Sequence, residues 1–211
     1  MVSVVIFDLD GLLSDTETLH CHAYRSTLDE VGVSISEAEY AEHWIRKGLS
    51  IREFVSERSL DLNPKRLHAR KVELYQELLR SSLQPMPGAI DLLDRLHGKK
   101  RMALASSSLA DNVHLVLKLL NMADYFELIV TGESVSRVKP HPDPFLFVSE
   151  QMNVPPDQCV VIEDAEKGIV AAYSAGMKSI AVPNRLTSDN DFSKATAIVD
   201  SLDKITLDLL E

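Results

Sequence analysis

Short apolar runs alternate with segments of helical periodicity along most of this sequence. The first run, Val2 to Phe7, is nearly continuous in β-branched and aromatic residues, which is typical of a strand buried on both faces. Further strands are predicted at 102–105, 128–130, 158–162, 179–182 and, at a sheet edge, 198–199. Helices are predicted at 109–120, 144–152, 166–175 and 202–210. This alternation predicts an α/β fold, a doubly wound, Rossmann-like parallel sheet with helices on both faces.

The stretch from residue 16 to residue 82 differs from the rest because it contains no strand-like run. Leu19, Ala23, Thr27 and Val31 recur there at helical spacing. The stretch ends at a chain-breaking segment, Gln84-Pro85-Met86-Pro87-Gly88. We therefore expect residues 1–15 and 83–211 to form the α/β core, with residues 16–82 inserted into it as a helical domain.

The overall charge narrows the classes of ligand. The chain has 22 Lys and Arg against 32 Asp and Glu, a formal net charge of −10, which argues against a nucleic-acid surface.

No apolar run approaches the roughly 20 residues that span a bilayer, and none resembles a signal peptide. The two cysteines have no metal-binding spacing. We expect a cytoplasmic protein, without membrane or nucleic-acid partners, that is a monomer or a weak oligomer.

Polar residues that suit catalysis follow four of the predicted strands. Any one of them could be an ordinary turn residue, since Asp and Ser are common in turns. In parallel sheets, however, ligands bind beyond the carboxyl ends of the strands, so four coincident strand ends indicate one site. The residues at these ends are Asp8 and Asp10, the serine run Ser106 to Ser108, Lys139, and the pair Glu163 and Asp164.

The pair Asp8 and Asp10 indicates a cation. A spacing of two on an extended chain puts both carboxylates on the same side, where they repel unless a cation or a proton lies between them. Mg²⁺ is commonly held by one or two carboxylates and a substrate phosphate. Asp164 can supply a second carboxylate, with Glu163 beside it. The sequence therefore predicts a Mg²⁺ site for a phosphorylated substrate.

These residue types suit phosphoryl transfer. An ionised Asp8 near Lys139 can attack phosphorus and form an aspartyl-phosphate. Asp10 can protonate the leaving oxygen and later deprotonate the attacking water. Ser106 can donate a hydrogen bond to the transferred group. Ser108 and Asp111 have the spacing of a capping box at the start of the next helix, whose N-terminus, with Ser107, can also bind an anion.

These four motifs resemble those of the haloacid dehalogenase superfamily. The first motif here reads Asp8-Leu9-Asp10-Gly11-x-Leu13-x-Asp15, and the resemblance covers essentially the whole chain. The helical insert and the segment from Asp15 to His20 are similar to the small α-helical cap of its β-phosphoglucomutase-like subgroup. One position departs from that subgroup, in which a Ser usually follows the Glu-Asp pair; this chain has Ala165.

The resemblance implies a role for each matched residue. Asp8 would be the nucleophile and a Mg²⁺ ligand, and Asp10 the acid/base and a ligand through its backbone carbonyl. Ser106 and Lys139 would contact phosphate, and Asp164 and Glu163 would be further metal ligands. For His20 the mutase-like resemblance implies a contact with Asp10 or with the substrate. The alternative is a helix histidine that is merely exposed or satisfied by its neighbours.

Three positions of the insert are further candidates for substrate binding. Lys47 and Arg52 lie on either side of Gly48, and cations beside a loop glycine would suit a phosphosugar headgroup. The alternative is a solvated basic face.

Two hypotheses about the enzymatic activity remain open. The first is a phosphatase acting on a small phosphorylated metabolite such as a sugar phosphate. The second is a sugar-phosphate mutase of the β-phosphoglucomutase type. Mutases carry a Lys-Asn pair where this chain has Leu109 and Ala110, which favours the phosphatase. Asp10 argues against a dehalogenase, and the full set of acids argues against a non-catalytic scaffold.

Overall fold

The computed structural model describes residues 2–211, and the chain divides into two compact units. One comprises the chain up to Asp15 together with Gln84–Glu211, and the other is Thr16–Leu83. Leu83 thus groups with the helical unit, one residue beyond the boundary expected from sequence.

The larger unit is built on a parallel sheet of six strands in the order β3-β2-β1-β4-β5-β6. The predicted α/β fold with a doubly wound parallel sheet is therefore confirmed. The central strand β1 is buried at every position, and Ile6 lies opposite Ala103 on one side and Val161 on the other. The strands are β1 (Val4–Phe7), β2 (Arg101–Ala105), β3 (Leu128–Val130), β4 (Cys159–Glu163), β5 (Lys178–Ala181) and β6 (Ala197–Ile198).

Helices pack against this sheet and bury its apolar side chains. A cluster around Val4, Ile6 and Val161 includes Phe145 and Val148 from one of these helices. The α-helices of the larger unit are α5 (Ala89–Leu96), α6 (Ala110–Leu119), α7 (Asp143–Gln151) and α8 (Glu166–Ser174). Short 3₁₀ turns cover Ala123–Tyr125, Pro156–Gln158, Leu202–Lys204 and Asp208–Leu210.

The predicted terminal helix at 202–210 is wrong, because the segment forms only the last two of these turns. Ile205 between them is extended and buried, which interrupts any continuous helix. The guanidinium of Arg95 on α5 donates to the carbonyl oxygens of Leu202 and Ile205. Those carbonyls thereby have partners without a helical ladder.

The smaller unit is entirely helical in secondary structure, as its periodicity predicts. Its aromatic core includes Tyr24 and Trp44, whose ring centroids are 4.4 Å apart. Ser36 and Ser50 form capping boxes with Glu39 and Glu53 at two helix starts. The helices are α1 (Thr16–Asp29), α2 (Glu37–Tyr40), which runs into a π-helical segment (Ala41–Arg46), α3 (Ile51–Glu57) and α4 (Pro64–Ser82).

Within residues 2–211, every helix is too short or too polar to cross a membrane.

Candidate active site

Three strand ends deliver a buried cluster of charged side chains. Asp8 follows β1, Glu163 ends β4, and Lys139 comes from the loop after β3. The Lys139 ammonium donates to Asp8 Oδ1 and to Glu163 Oε1, each at 2.6 Å. The side chains of Lys139 and Glu163 are only 1% exposed, so this triad is shielded from water.

Glu163 is fixed on both sides of its carboxylate. While Oε1 accepts from Lys139, Oε2 accepts the backbone N–H groups of Asp164 and Ala165 at 3.1 Å. Gly168 on α8 approaches it so closely that an added Cβ would lie 1.9 Å from the carboxyl carbon. A glycine at this position therefore makes room for Glu163 beneath the helix.

Burial dominates the electrostatics of this cluster. It raises the pKa of Asp8 to about 7, and the neighbouring charge of Glu163 adds to the rise while Lys139 opposes it. Burial alone would lower the pKa of Lys139, but the carboxylates of Asp8 and Glu163 raise it overall. Lys139 thus stays cationic, and further positive charge would favour the ionised form of Asp8.

Asp10 is held by two serines that follow β2. The hydroxyls of Ser106 and Ser108 donate to Asp10 Oδ2 at 2.9 and 2.8 Å, and the Ser108 N–H donates to Ser106 Oγ at 3.0 Å. The predicted capping box between Ser108 and Asp111 is therefore wrong. Helix α6 begins after Leu109 without a side-chain cap, because the Ser108 hydroxyl is directed to Asp10 instead.

Ser107 lies between these two serines. Its hydroxyl oxygen is buried and, among the residues that the structure describes, has no hydrogen-bond partner. A buried polar atom without a partner is rare in proteins. This orphaned hydroxyl is compatible with the predicted contact to a substrate phosphate, which remains a prediction.

Asp164 has a polar neighbour, Asn184, that is not among the predicted site residues. The amide nitrogen of Asn184 lies 2.8 Å from Asp164 Oδ2 and 3.0 Å from the carbonyl oxygen of Gly11. Asn184 follows β5, so the same rule that identified the other strand ends would have found it.

The carboxylates fit a divalent cation. Asp8, Glu163 and Asp164 are all buried and offer oxygen ligands that lie within 4.8 Å of one another. Three buried carboxylates share only the charge of Lys139 within this cluster, which leaves an excess of negative charge. Hard divalent cations prefer oxygen donors of this kind. The residues present can therefore hold a metal ion.

The four candidates of the helical unit have partners within that unit or lie at its surface. His20 Nδ1 lies 2.5 Å from the Lys71 ammonium, and its ring stacks on Tyr75 at 3.8 Å. The exposed Lys47 pairs with Glu42 at 3.3 Å. Gly48 has a positive φ of 64°, and Arg52 is exposed in the first turn of α3. Their predicted role in substrate binding stays a prediction.

Buried acids and a lysine lie at the carboxyl edge of a doubly wound parallel sheet, where α/β enzymes bind their ligands. The chain belongs to the haloacid dehalogenase-like hydrolase family, whose model matches residues 5–182. The fructose-1-phosphate phosphatase YqaB of Escherichia coli is 34% identical over 179 residues, 84% of this chain and 95% of that protein. The β-phosphoglucomutase of Bacillus subtilis is 33% identical over 86% of this chain and 83% of that protein.

A solved structure agrees over the full length. A mutant of CbbY from Rhodobacter sphaeroides, in complex with xylulose-(1,5)bisphosphate, superposes with a TM-score of 0.87 at 26% identity, covering 100% of both chains. The predicted membership of the haloacid dehalogenase superfamily, with β-phosphoglucomutase-like relatives, is confirmed, as is the prediction of a hydrolase.

Proposed function

We propose that this protein is a Mg²⁺-dependent phosphatase that hydrolyses a small phosphorylated metabolite, a sugar phosphate, through an aspartyl-phosphate on Asp8. The observation that carries the proposal is the buried contact of Asp8 with Lys139, next to the carboxylates of Glu163 and Asp164. The relatives support the substrate class, since one is a fructose-1-phosphate phosphatase and another was solved with a sugar bisphosphate.

Asp8 is the proposed nucleophile. Its carboxylate oxygen forms a bond to phosphorus while the ester bond to the sugar oxygen breaks. Lys139 stays cationic and lies against Asp8, so it can reduce the repulsion between this carboxylate and the incoming phosphoryl oxygens. Burial of the pair strengthens this effect, because a charge acts more strongly where water is excluded.

Asp10 is the proposed acid and base. It gives a proton to the leaving sugar oxygen, and then takes one from the water that attacks phosphorus and frees Asp8. The hydroxyls of Ser106 and Ser108 hold its carboxylate two residues from the nucleophile. Ser107 and Ser106 are the proposed hydroxyl contacts of the phosphoryl group; Ser106 has one proton to donate, so its hydroxyl would turn from Asp10 to the substrate.

The carboxylates of Asp8 and Asp164 and the backbone carbonyl of Asp10 are the proposed Mg²⁺ ligands. When bound, Mg²⁺ supplies positive charge that neutralises these carboxylates and the phosphoryl oxygens. Glu163 is a further proposed ligand, directly or through a water, because Oε1 accepts one hydrogen bond, from Lys139, and keeps a second lone pair. It also holds Lys139 and adds negative charge to the site.

A sugar-phosphate mutase is the second candidate, favoured by the identity to β-phosphoglucomutase. The start of α6 argues against it, since the 60% exposed Leu109 and the neighbouring Ala110 offer no polar side chain. The test is formation of glucose 6-phosphate from β-glucose 1-phosphate in the presence of the bisphosphate. Formation of this product at a rate above phosphate release would make the mutase the main activity.

The test of the phosphatase is release of phosphate from p-nitrophenyl phosphate and from a panel of sugar phosphates that includes fructose 1-phosphate, each with Mg²⁺ and with a chelator. We expect release that depends on Mg²⁺. Folded protein that releases no phosphate from any of these compounds would overturn the proposal. A cytoplasmic location and a monomeric or weakly oligomeric state remain predictions.

A further inference from the structure

Asn184 links two loops of the candidate site that come from different strands. Its side-chain N–H groups donate to the carbonyl oxygen of Gly11, in the turn after Asp10, and to Asp164 Oδ2, in the turn after β4. A primary amide has two donor hydrogens, so both acceptors can be served at once. The side chain therefore ties the first and last motifs of the site together.

The orientation of this amide is set by its surroundings. Asn184 Oδ1 accepts the backbone N–H of Leu186 at 2.8 Å, and the backbone N–H of Asn184 donates to Thr187 Oγ1 at 2.9 Å. The flipped amide would direct its oxygen at two acceptors, a carbonyl and a carboxylate, and its nitrogen at a donor. Since Thr187 is fully buried, the loop that carries Asn184 is anchored on the core side.

The turn at Gly11 shows how tightly the three groups pack. Gly11 has a φ of +86°, and an added Cβ would lie 2.6 Å from Asp164 Oδ2 and 2.9 Å from Asn184 Nδ2. A side chain at this position would displace the carboxylate or the amide. The space above the Asp10–Gly11 turn is therefore occupied by Asp164 and Asn184 together.

Because the Asn184 amide is uncharged, it can hold Asp164 without neutralising its negative charge. An amide N–H fixes the rotation of the Asp164 carboxylate while leaving its full negative charge in place. A lysine or arginine there would neutralise part of the charge that binds a cation. The same amide holds the Asp10–Gly11 turn, and with it the backbone carbonyl of Asp10.

We propose that Asn184 is a positioning residue for the divalent cation: it orients Asp164 and the Asp10–Gly11 turn so that both can bind the metal. This inference rests on the proposed function, because it assumes that the cluster binds Mg²⁺. Asn184 acts through Asp164 and the turn. Loss of an outer partner of this kind typically weakens metal binding or activity by about 10- to 100-fold.

The experiment measures Mg²⁺ binding by isothermal titration calorimetry on the full chain without substrate. We expect Asn184→Ala to raise the Kd for Mg²⁺ by about tenfold or more. Phosphatase activity should fall at limiting Mg²⁺ and recover substantially at saturating Mg²⁺, which a merely structural defect would not do. A Kd equal to that of the wild type would overturn the proposal.

The matched control is Asn190→Ala in the same loop. Asn190 Oδ1 accepts the backbone N–H of Glu166, so this variant removes a side-chain hydrogen bond of an asparagine in this loop, but none to Asp164 or Gly11. Its Kd for Mg²⁺ should stay within about twofold of the wild type. An equal weakening in both variants would show that general loosening of the loop is the cause and would overturn the specific role of Asn184.

A second variant covers the case in which Asn184→Ala does not fold. Asn184→Asp retains the oxygen that accepts from Leu186 but loses the donor to Asp164 and Gly11. Its Kd for Mg²⁺ should differ from that of the wild type by more than the Kd of Asn190→Asp, which adds the same charge in the same loop at a residue whose side chain accepts from Glu166. Equal Kd values in these two variants would overturn the proposal. Wild-type protein that binds no Mg²⁺ would instead remove the proposed function itself, so the two failures are distinguishable.

Discussion

Asp8 is the residue on which the proposed chemistry depends. Replacing it by Asn keeps the size of the side chain and its contact with Lys139 but removes the anionic oxygen that attacks phosphorus. We expect Asp8→Asn to lower kcat by on the order of 10³-fold or more, because covalent catalysis then has no nucleophile. The measurement is steady-state release of phosphate, with circular dichroism to verify the fold.

Asp124→Asn is the control for this variant. Asp124 is exposed in the 3₁₀ turn before β3, so the same chemical change there should leave kcat unaltered. An Asp8→Asn protein that is folded and retains near wild-type kcat would remove Asp8 from the nucleophilic role.

The raised pKa of Asp8 predicts how Mg²⁺ binding depends on pH. A carboxyl whose pKa rises on folding, here from 3.8 to about 7, favours the folded state while it is protonated. That contribution is fully present below 3.8 and is lost as the pH rises through about 7. Mg²⁺ binds the ionised form, so its stabilising effect should be larger at about pH 8 than at about pH 5.5.

Thermal unfolding with Mg²⁺ and with a chelator at both pH values measures this effect. The rise in Tm caused by Mg²⁺ should shrink as the pH falls, and Asp8→Asn should abolish most of the difference between the two pH values. An equal rise at both pH values in the wild type would contradict the role of Asp8 as an ionised metal ligand.

The sequence predicts most residues of this site, because a strand end fixes where a side chain lies. Asp8, Asp10, Lys139, Glu163 and Asp164 all follow apolar runs that are easy to recognise. The hydrogen-bond partners of side chains cannot be predicted in this way. Ser108 has the spacing of a helix cap, yet its hydroxyl donates to Asp10, because a carboxylate close in space competes with the local backbone. Such competition cannot be read from spacing.

At the scale of elements, the packing of α8 on β4 depends on Gly168. An alanine in a helix usually stabilises it by about 1 kcal/mol relative to glycine. Here the added Cβ would lie 1.9 Å from Glu163, whose carboxylate is held by Lys139 and two backbone N–H groups. Gly168→Ala should therefore destabilise the protein by about 2–3 kcal/mol. It should also lower activity, since Glu163 holds Lys139.

Urea unfolding and phosphate release together test this prediction. Gly98→Ala serves as the comparison, because its added Cβ would have no atom within 4 Å and only its positive φ of 72° would oppose the change. It should cost about 1 kcal/mol and leave activity intact. Gly168→Ala protein with wild-type stability and activity would show that α8 can shift away from Glu163.

The sequence predicts the strands more accurately than the terminal segment. Strands of a parallel sheet are buried on both faces and form continuous apolar runs, so the predicted strand ends lie within about two residues of the observed ones. The terminal segment has helical spacing of its leucines but forms two 3₁₀ turns around the buried Ile205. Its carbonyls bond to Arg95, a residue 107 positions away from Leu202, and no local pattern reveals such a partner.

At the scale of the whole molecule, the change from strand-containing to strand-free sequence coincides with the division into two compact units. Candidate substrate-binding residues are harder to recognise in the helical unit. Lys47 and Arg52 are exposed cations, and the sequence gives such residues the same signature whether they bind a ligand or water. Only the sheet unit, where strand ends converge, allows its site to be predicted residue by residue.

Each compact unit contains one of the two cysteines, so alkylation of each thiol can follow the unfolding of its own unit. Cys21 lies in α1 of the helical unit and Cys159 begins β4 of the sheet unit, and both are buried thiols outside any disulfide. Burial, with a smaller effect of Asp157, raises the pKa of the Cys159 thiol to about 11. Because thiolates react and thiols do not, native protein should resist alkylation by iodoacetamide near neutral pH.

Pulse alkylation across a urea series, with peptide mass spectrometry, then follows each unit. The helical unit is the smaller one and buries less surface, so Cys21 should be labelled at a lower urea concentration than Cys159. Mg²⁺ should raise the urea concentration needed to label Cys159, because the ligand stabilises the unit that binds it, and should affect Cys21 less. Labelling of both cysteines at one urea concentration, with equal shifts on adding Mg²⁺, would show instead that the units unfold as one cooperative body.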